Sequence, residues 1–553
     1  MALTLRERCE KRLVGLKRVR EPYEAEWKEI AQHAQPSRGR FLFSDSNRKF
    51  RRSNRAIYNS HGILAFRIQA AGMTSGLCSP SRPWFRLTLF DEAGLDDPDT
   101  REWLSEVEKR MYAFLRETNF YEVVKSGFAE IGMFGTEAAV LEEQDGTMVG
   151  HGLTVGEYWT ALGANAKPNT LYRRVPMSVY QQVKSFGLDK VSSRVKDAYD
   201  RGDYDTQTEV IHAIEPNDDR IPGLMTAKGK PWRSFYWDCA DGDREKGYLR
   251  LSGFDDQPFW CARWDAVGGD VYGTCPGMDA LPDLRELQLA SKRATQLLSK
   301  IENPEKIVPS TLGNLTGQPG NIVSVASVDK DQVIIPYVPN PEALARAEEK
   351  IERLKKDVDD LSFASLFNAI TDMAGIQPRN EQEIAARIEE KMTQLGSAIE
   401  RVSGEKLGVA IDRTFGIMSR LQMLPPAPPH LQGQALKIEY ISILAQMQRM
   451  IGLGQTERVV GFIGNLAAAA PEALDKLNVD ETIDDYADRA GAPPKIIRSD
   501  EEVQQLREAR AQQQRNAQLA AAMPAVKDGA DAANLLAQAA QNGGGVQNLL
   551  PAQ

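Results

Sequence analysis

No run of about 18 or more apolar residues occurs in the 553-residue chain, so no segment is expected to cross a bilayer as a helix. The opening, MALTLRERCEKRLVGLKRVR, carries charge throughout and lacks the apolar core of a secretory signal, which predicts use in a cytoplasm. Cysteine and histidine are sparse. Cys9, Cys78, Cys239, Cys261 and Cys275 are scattered, odd in number and form no CxxC pair, while His33, His61, His151, His212 and His430 stand alone. Neither a zinc site nor a disulfide framework fits that spacing, and the cysteines read as reduced structural residues. The chain also lacks a GxxxxGK[ST] phosphate loop, GxGxxG, HExxH and GxSxG. ATP hydrolysis through a phosphate loop is therefore excluded, and neither an enzyme nor a bound cofactor or metal is expected. Carboxylates gathered from distant positions for metal-dependent nuclease chemistry remain the enzymatic alternative.

What is present is ordinary soluble composition, 42% hydrophobic and 26% charged, in a chain long enough for several subdomains. Charge is uneven. Residues 1–60 hold fifteen Lys and Arg against seven Asp and Glu, although the whole chain is −9. Within them, RGRFLFSDSNRKFRRSNR (Arg38 to Arg55) has seven basic residues, one acidic residue and three phenylalanines. Basic residues interleaved with aromatics can bind nucleic acid. A solvated loop, or a contact with an acidic neighbouring subunit, is the reading preferred here.

Helical spacing of Leu13, Leu16, Tyr23, Trp27 and Ile30 predicts a helix from Leu5 to about Ala34. A second is expected from near Asn54 through Phe66 to AAGMTSGLCSP, then a strand in RPWFRLTLF and helices over about Thr100–Arg116 and Val123–Phe134. Residues 135–275 alternate between Gly, Asp, Asn and Pro clusters, the mark of β structure. SFYWDCA and GYLRLSGF flank DGDREK as a candidate hairpin. A calcium loop is ruled out there: with Gly242 in its sixth place, Trp237 and Cys239 would stand where oxygens must ligate.

Helices dominate from Met278. One runs from about Pro282 to Glu302, and after a Gly/Pro/Asn-rich excursion Pro341 opens another. Its Leu344, Ala347, Ile351, Leu354, Val358 and Leu361 step by 3 and 4, the seam of a helix packed lengthwise on a partner. A break is expected around Met373 to Pro378, then a helix through Ile384, Ile388, Met392, Leu395, Ile399 and Val402. Pro425, Pro426, Pro428 and Pro429 end that run. Further helices and an Ala/Gln-rich tail follow.

Four stretches resemble the podovirus-type phage portal family, in order along almost the whole chain. They are Arg20-Glu21-Pro22-Tyr23-Glu24 with Trp27 and AAGMTSGLCSPSRPWFRLTL; SGFDDQPFWCARWDAVGGDVYGTCPGMDALPDLRELQ; AARIEEKMTQLGSAIERVSGEKLGVAIDRTFGIM; and LKIEYISILAQMQR with APPKIIRSDEEVQQLREARAQQQ. The resemblance implies a mainly helical α+β portal fold. Its parts would be an α/β wing (1–275), a first stem helix (276–303), a clip (304–339) and a second stem helix (340–367). A tunnel loop (368–380), a long helix back to the wing (381–425), a helical crown (426–500) and a helical barrel or tail (501–553) would follow.

By the same resemblance, copies form a homo-oligomeric ring of about twelve subunits, as head-to-tail contacts closed by rotation do. The ring would sit at one capsid vertex of the virion after assembly in the host cytoplasm. Its partners would be double-stranded DNA, the terminase large subunit, a tail adaptor, and the major capsid and scaffolding proteins, with no membrane. Tunnel-loop residues Asp372, Met373, Ile376, Gln377 and Arg379 would meet DNA; on the residues alone this segment reads as a linker. Glu305, Lys306, Asn314 and Gln318 in the clip would face terminase and adaptor. A bore that lets duplex slide cannot be strongly basic, because each neutralised phosphate releases counterions and tightens binding. Part of the acidic face Asp283, Glu286, Glu348, Glu349, Glu352, Asp357, Asp359 and Asp360 is therefore expected to line it. A helical scaffolding or adaptor protein of the virion is the alternative, against which Trp232, Trp237, Trp260 and Trp264 in the β-rich middle speak.

Overall fold

The computed structural model describes residues 3–38, 57–90, 97–239, 247–302, 340–372, 381–431, 436–445, 453–467, 470–490, 498 and 502–515. The chain divides into two compact units, Met1–Ile451 and Gly452–Gln553. Its fold is mixed α and β, mainly helical.

Helix α1 (Leu5–His33) opens on a capping box, in which Thr4 accepts from the Glu7 amide at 3.3 Å and the Thr4 amide donates to Glu7 at 2.9 Å. Pro22 is accommodated inside it. Helix α2 (His61–Leu77) leads to strand β1 (Phe85–Leu89), then α3 (Pro98–Glu117) and α4 (Phe120–Phe134). Gly135, at φ 74°, ends α4 in the left-handed conformation that a side chain resists. Strands β2 (Thr136–Gln144) and β3 (Thr147–Leu153) form a hairpin around Asp145 and Gly146, both at positive φ as a two-residue turn demands. β9 (Phe259–Arg263) joins the other edge of β2.

A five-stranded antiparallel sheet occupies the middle: β4 (Tyr158–Leu162), β5 (Pro168–Ser178), β6 (Gln207–Pro216), β7 (Trp232–Asp238) and β8 (Arg250–Phe254). β7 and β8 pair from Trp232↔Phe254 to Tyr236↔Arg250, so the expected hairpin forms; residues 240–246 of its turn lie outside the described residues. Side chains alternate across a strand, and both faces here are covered. Ile211, Ala213, Phe235 and Trp237 pack on Leu13 and Leu16 of α1. Val210 and Tyr236 pack on Val179 and Phe186 of α5 (Val179–Phe186) and on Val195 of α6 (Ser193–Asp200).

The largest core joins α2, α4, β2 and β9 to the later helices. These are α7 (Pro276–Asp279), α8 (Leu281–Glu302), α9 (Pro341–Leu361), α10 (Ala364–Asp372), α11 (Glu381–Val402) and α12 (Gly408–Arg420). α11 and α12 are joined by a π-helical turn, Ser403–Leu407. Of the expected tunnel loop 368–380, residues 368–372 are helical and residues 373–380, where the break itself was expected, lie outside the described residues. α9 stops at Leu361, Phe363 sits at φ 60°, and α10 then continues the chain as helix through residue 372. The further helices expected after the proline run are preceded by a strand, β10 (Leu436–Tyr440), paired antiparallel with β1. Its LKIEY alternates apolar and charged residues at the strand period. The second unit holds helices Leu453–Ala467 and Val479–Ala490 and one over 502–515, where Arg507 grips Asp480 at 2.6 Å through both oxygens.

Candidate functional site

Helices α8 and α9 run antiparallel as a hairpin, and the core holds its base. The entry is tight: a Cβ on Gly277 would stand 2.4 Å from the Met133 carbonyl oxygen, so only glycine fits. Leu281, Leu284 and Leu287 of α8 are buried. Beside them Gln288 accepts from the Tyr58 and Asn59 amides at 2.7 and 2.9 Å and donates to the Asn59 carbonyl at 2.8 Å. Gln288→Leu strands two amides, and a loss of about 1–3 kcal/mol is expected. Thermal melting measures it; an unchanged midpoint would show that water reaches these groups.

On α9, Asn340 caps the Glu342 amide at 3.0 Å and Pro341 takes the first helical position. Burial fades along the hairpin. Leu354 and Val358, near the base, are buried; Ile351, Ala347 and Leu344, farther out, are half-buried; Leu361 is 37% exposed. On α8, Leu289 and Leu298 are 45% and 42% exposed. One copy therefore covers only part of its own seam.

The expected acidic face is divided by its contacts. Glu286 bridges to Lys350 across the hairpin, and Glu352 pairs with Lys355 at 2.6 Å. Asp359 lies 2.9 Å from His61 Nε2, and Asp360 accepts from Ser365 at 2.8 Å. Glu348, Glu349 and Asp357 point to solvent. Burial, then the Asp357 and Glu286 charges, raise the Asp283 carboxyl above its ordinary range. Asp283 and Asp357 thus lie near each other at the base of the hairpin, beside a Glu286 already bridged to Lys350. Asp372 is the last residue of α10. Met373, Ile376, Gln377 and Arg379 lie outside the described residues, as do Glu305, Lys306, Asn314 and Gln318 and residues 39–56 of the basic segment.

A buried ionic cluster escaped the sequence reading. The π-helical turn aims Glu405 and Lys406 inward. Glu405 accepts from the Arg263 amide at 3.1 Å and from its guanidinium, and Lys406 bridges to Glu137 on β2. The ammonium also donates to the Val124 carbonyl at 3.2 Å and lies 3.7 Å from the Phe128 ring centre. Arg263 and Lys406 are at most 2% exposed, so the cluster fastens α11 and α12 to the sheet. Nothing in the local run VSGEKLGV (402–409) marks the two charges as buried. Among the described residues no three His, Cys, Asp or Glu side chains gather as a metal set, and no helix is long and apolar enough to cross a membrane.

A family model of bacteriophage head to tail connecting proteins matches residues 6–497. The portal protein of Salmonella phage epsilon15 is 39% identical over 535 residues, 96% of this chain and 95% of its own length. The probable portal protein of Bordetella phage BPP-1 is 37% identical over 526 residues, 94% and 93% of the two chains. A chain from the solved virion of a native gene transfer agent particle aligns over 79% of this chain and 91% of its own, with a TM-score of 0.36 at 13% identity.

Proposed function

The chain belongs to the bacteriophage head to tail connecting proteins and functions as a portal, and from that premise we propose how its hairpin serves a DNA channel. A portal is a structural connector: copies assemble as a ring at a capsid vertex and join the head to the tail. The working ring holds on the order of twelve copies closed by head-to-tail contacts. Kinship along nearly the full length of two phage portals carries this reading. The half-covered hairpin seam agrees with it, because a ring supplies a neighbour for surface that one copy leaves exposed.

In the ring, α8 and α9 form the stem, 304–339 the clip and 368–380 the tunnel loop. Double-stranded DNA enters through the bore during packaging and leaves through it during infection. Asp283, Glu286 and Asp357, repeated in every copy, are the part of the acidic face turned to the duplex. They keep it centred by repulsion, since a basic lining would exchange counterions for phosphate contacts and hold the DNA still. Asp372, Met373, Ile376, Gln377 and Arg379 meet the DNA at the loop, with Arg379 as the phosphate contact. The clip, through Glu305, Lys306, Asn314 and Gln318, docks the terminase large subunit during packaging and the tail adaptor afterwards. The terminase supplies the force. Major capsid and scaffolding proteins surround the ring as it assembles in the host cytoplasm.

The test is the mass of the purified full-length protein in solution, paired with negative-stain images. Particles of about twelve chains around a central hole are expected. A monomer that persists at high concentration and with scaffolding protein added would overturn the channel mechanism.

A further inference from the structure

We propose that the loop between β6 and β7 of one copy seats its apolar tip, Leu224 and Met225, in the groove beneath the proline run of the next copy. The proposal rests on the ring reading above, and both halves of the contact lie open on every copy. The loop, residues 217–231, is built to hold its shape. Pro222 and Gly223, the latter at φ 88°, stand where a type II turn favours proline and glycine, and the Leu224 amide approaches the Ile221 carbonyl at 3.5 Å. Below the turn the Ile221 amide donates to the Lys228 carbonyl at 2.9 Å, Arg220 Nε to the Gly229 carbonyl at 3.0 Å, and Asn217 Nδ2 to the Lys230 carbonyl at 2.9 Å. A Cβ on Gly229 would stand 1.8 Å from the Leu224 carbonyl oxygen, so the tip folds closely onto its base. Ile221, Leu224 and Met225 are thereby held at 50%, 44% and 95% exposure. Contiguous apolar side chains kept in solvent by a rigid loop mark a contact surface, because ordering them for binding costs little.

The groove lies between α3, α12 and the β1–β10 pair, beside the chain from Gln422 to Ala427, with a volume of about 680 Å³. Trp103 fastens that chain, donating from Nε1 to the Pro425 carbonyl at 3.1 Å, and the walls are apolar: Phe415, Leu431, Leu436 and Ile438. The volume falls within the roughly 300–1,000 Å³ of ligand sites, which leaves room for two aliphatic side chains. No residue of the loop lines it, so a copy does not fill its own groove. Charge points to the same occupant. Asp412 lines the groove without an ion-pair partner among the described residues, and partial burial, then the Asp256 charge, raises its carboxyl above the ordinary range. Lys228, three residues beyond Met225, is exposed and has no ion-pair partner among the described residues either. An arriving ammonium supplies the counter-charge that Asp412 lacks in its own copy. Loop and groove are different surfaces of one chain, so the contact is heterologous. Each copy gives its loop to one neighbour and its groove to the other, and such contacts related by rotation close a ring.

Two experiments on the full-length protein test this. Met225→p-benzoylphenylalanine puts a photoreactive ring at the tip, where 95% exposure spares the fold. Illumination of assembled rings should join copies covalently, and mass spectrometry should place the joint on α12 or residues 422–438 of a second copy. Lys228→Glu should raise the protein concentration at half assembly about tenfold, read by mass photometry. Adding Asp412→Lys to the same chain should bring it back, because every junction then regains one opposite pair. Cross-links that fall elsewhere or within one copy, a Lys228→Glu chain that assembles as wild type does, or a double variant no better than the single would overturn the contact and leave the ring reading standing. Wild-type protein that never forms rings would overturn the ring reading, and this contact with it.

Discussion

Lys406→Met is expected to destabilise the Met1–Ile451 unit by about 3–5 kcal/mol, because it leaves the Glu137 carboxylate buried without its counter-charge. Glu137 is 1% exposed and Lys406 fully covered, so water cannot take the lysine's place. The measurement is the urea midpoint followed by tryptophan fluorescence at fixed protein concentration. Adding Glu137→Gln to Lys406→Met should recover most of the loss, since removing both charges of a buried pair is far milder than removing one.

The same variant carries a pH signature. Burial already raises the Glu137 carboxyl above its ordinary value of 4.5, and Lys406 is the main influence lowering it. Without the lysine the folded value rises further. A carboxyl whose folded pKa exceeds its unfolded one binds its proton more tightly in the folded state, so its stabilisation is complete below the unfolded value. It is lost as pH rises through the folded value. The variant should therefore stand closest to wild type near the ordinary carboxylate range and fall away toward neutral pH. A deficit of equal size at every pH would mean that lost packing against Phe128, and not the stranded carboxylate, is responsible.

Where periodicity governs local structure, the sequence was readable. The α1 pattern placed Leu13, Leu16, Trp27 and Ile30 correctly, and all four are buried. Alternation and turn residues foretold the β-rich middle, because a strand covered on a face must repeat every second residue. The α9 seam was readable as a stripe, but its depth was not. Leu344 and Ile351 stay half-buried because burial depends on what covers them, and one copy supplies only α8. The break at Ser362–Phe363 carries neither glycine nor proline; a phenylalanine at φ 60° is held there by tertiary packing, including Phe367 against the Gly72 backbone. The pairing of β1 with β10 spans most of the first unit, and no local pattern encodes a partner that distant. The Glu405 and Lys406 pairs were hidden for a related reason: charge in a sequence reads as surface until its partners are known.

At the base of the hairpin, replacing Asp283 and Asp357 together by lysine is expected to turn a passage into a clamp. Each reversal recurs once in every copy, so on the channel reading proposed above the patch around Glu286 should change from repelling a duplex to holding it. Ring-bound duplex should then appear at low salt. Its binding constant should fall steeply as salt rises, by about 10³–10⁵ between 50 and 200 mM if six to ten phosphates are engaged. Wild-type rings should retain little duplex over the same range. Filter retention at several salt concentrations gives the slope, and packaged DNA per particle gives the consequence, expected to drop as the moving duplex stalls. The two readouts separate the causes of failure. A variant ring that assembles, binds no more duplex than wild type and packages normally would place this patch away from the bore. Lost packaging with an unchanged salt slope would instead indicate a damaged hairpin base. Steep salt dependence together with stalled packaging is the pair of results that only a duplex-facing patch gives, because it requires the same charges to touch phosphate at rest and to resist its motion.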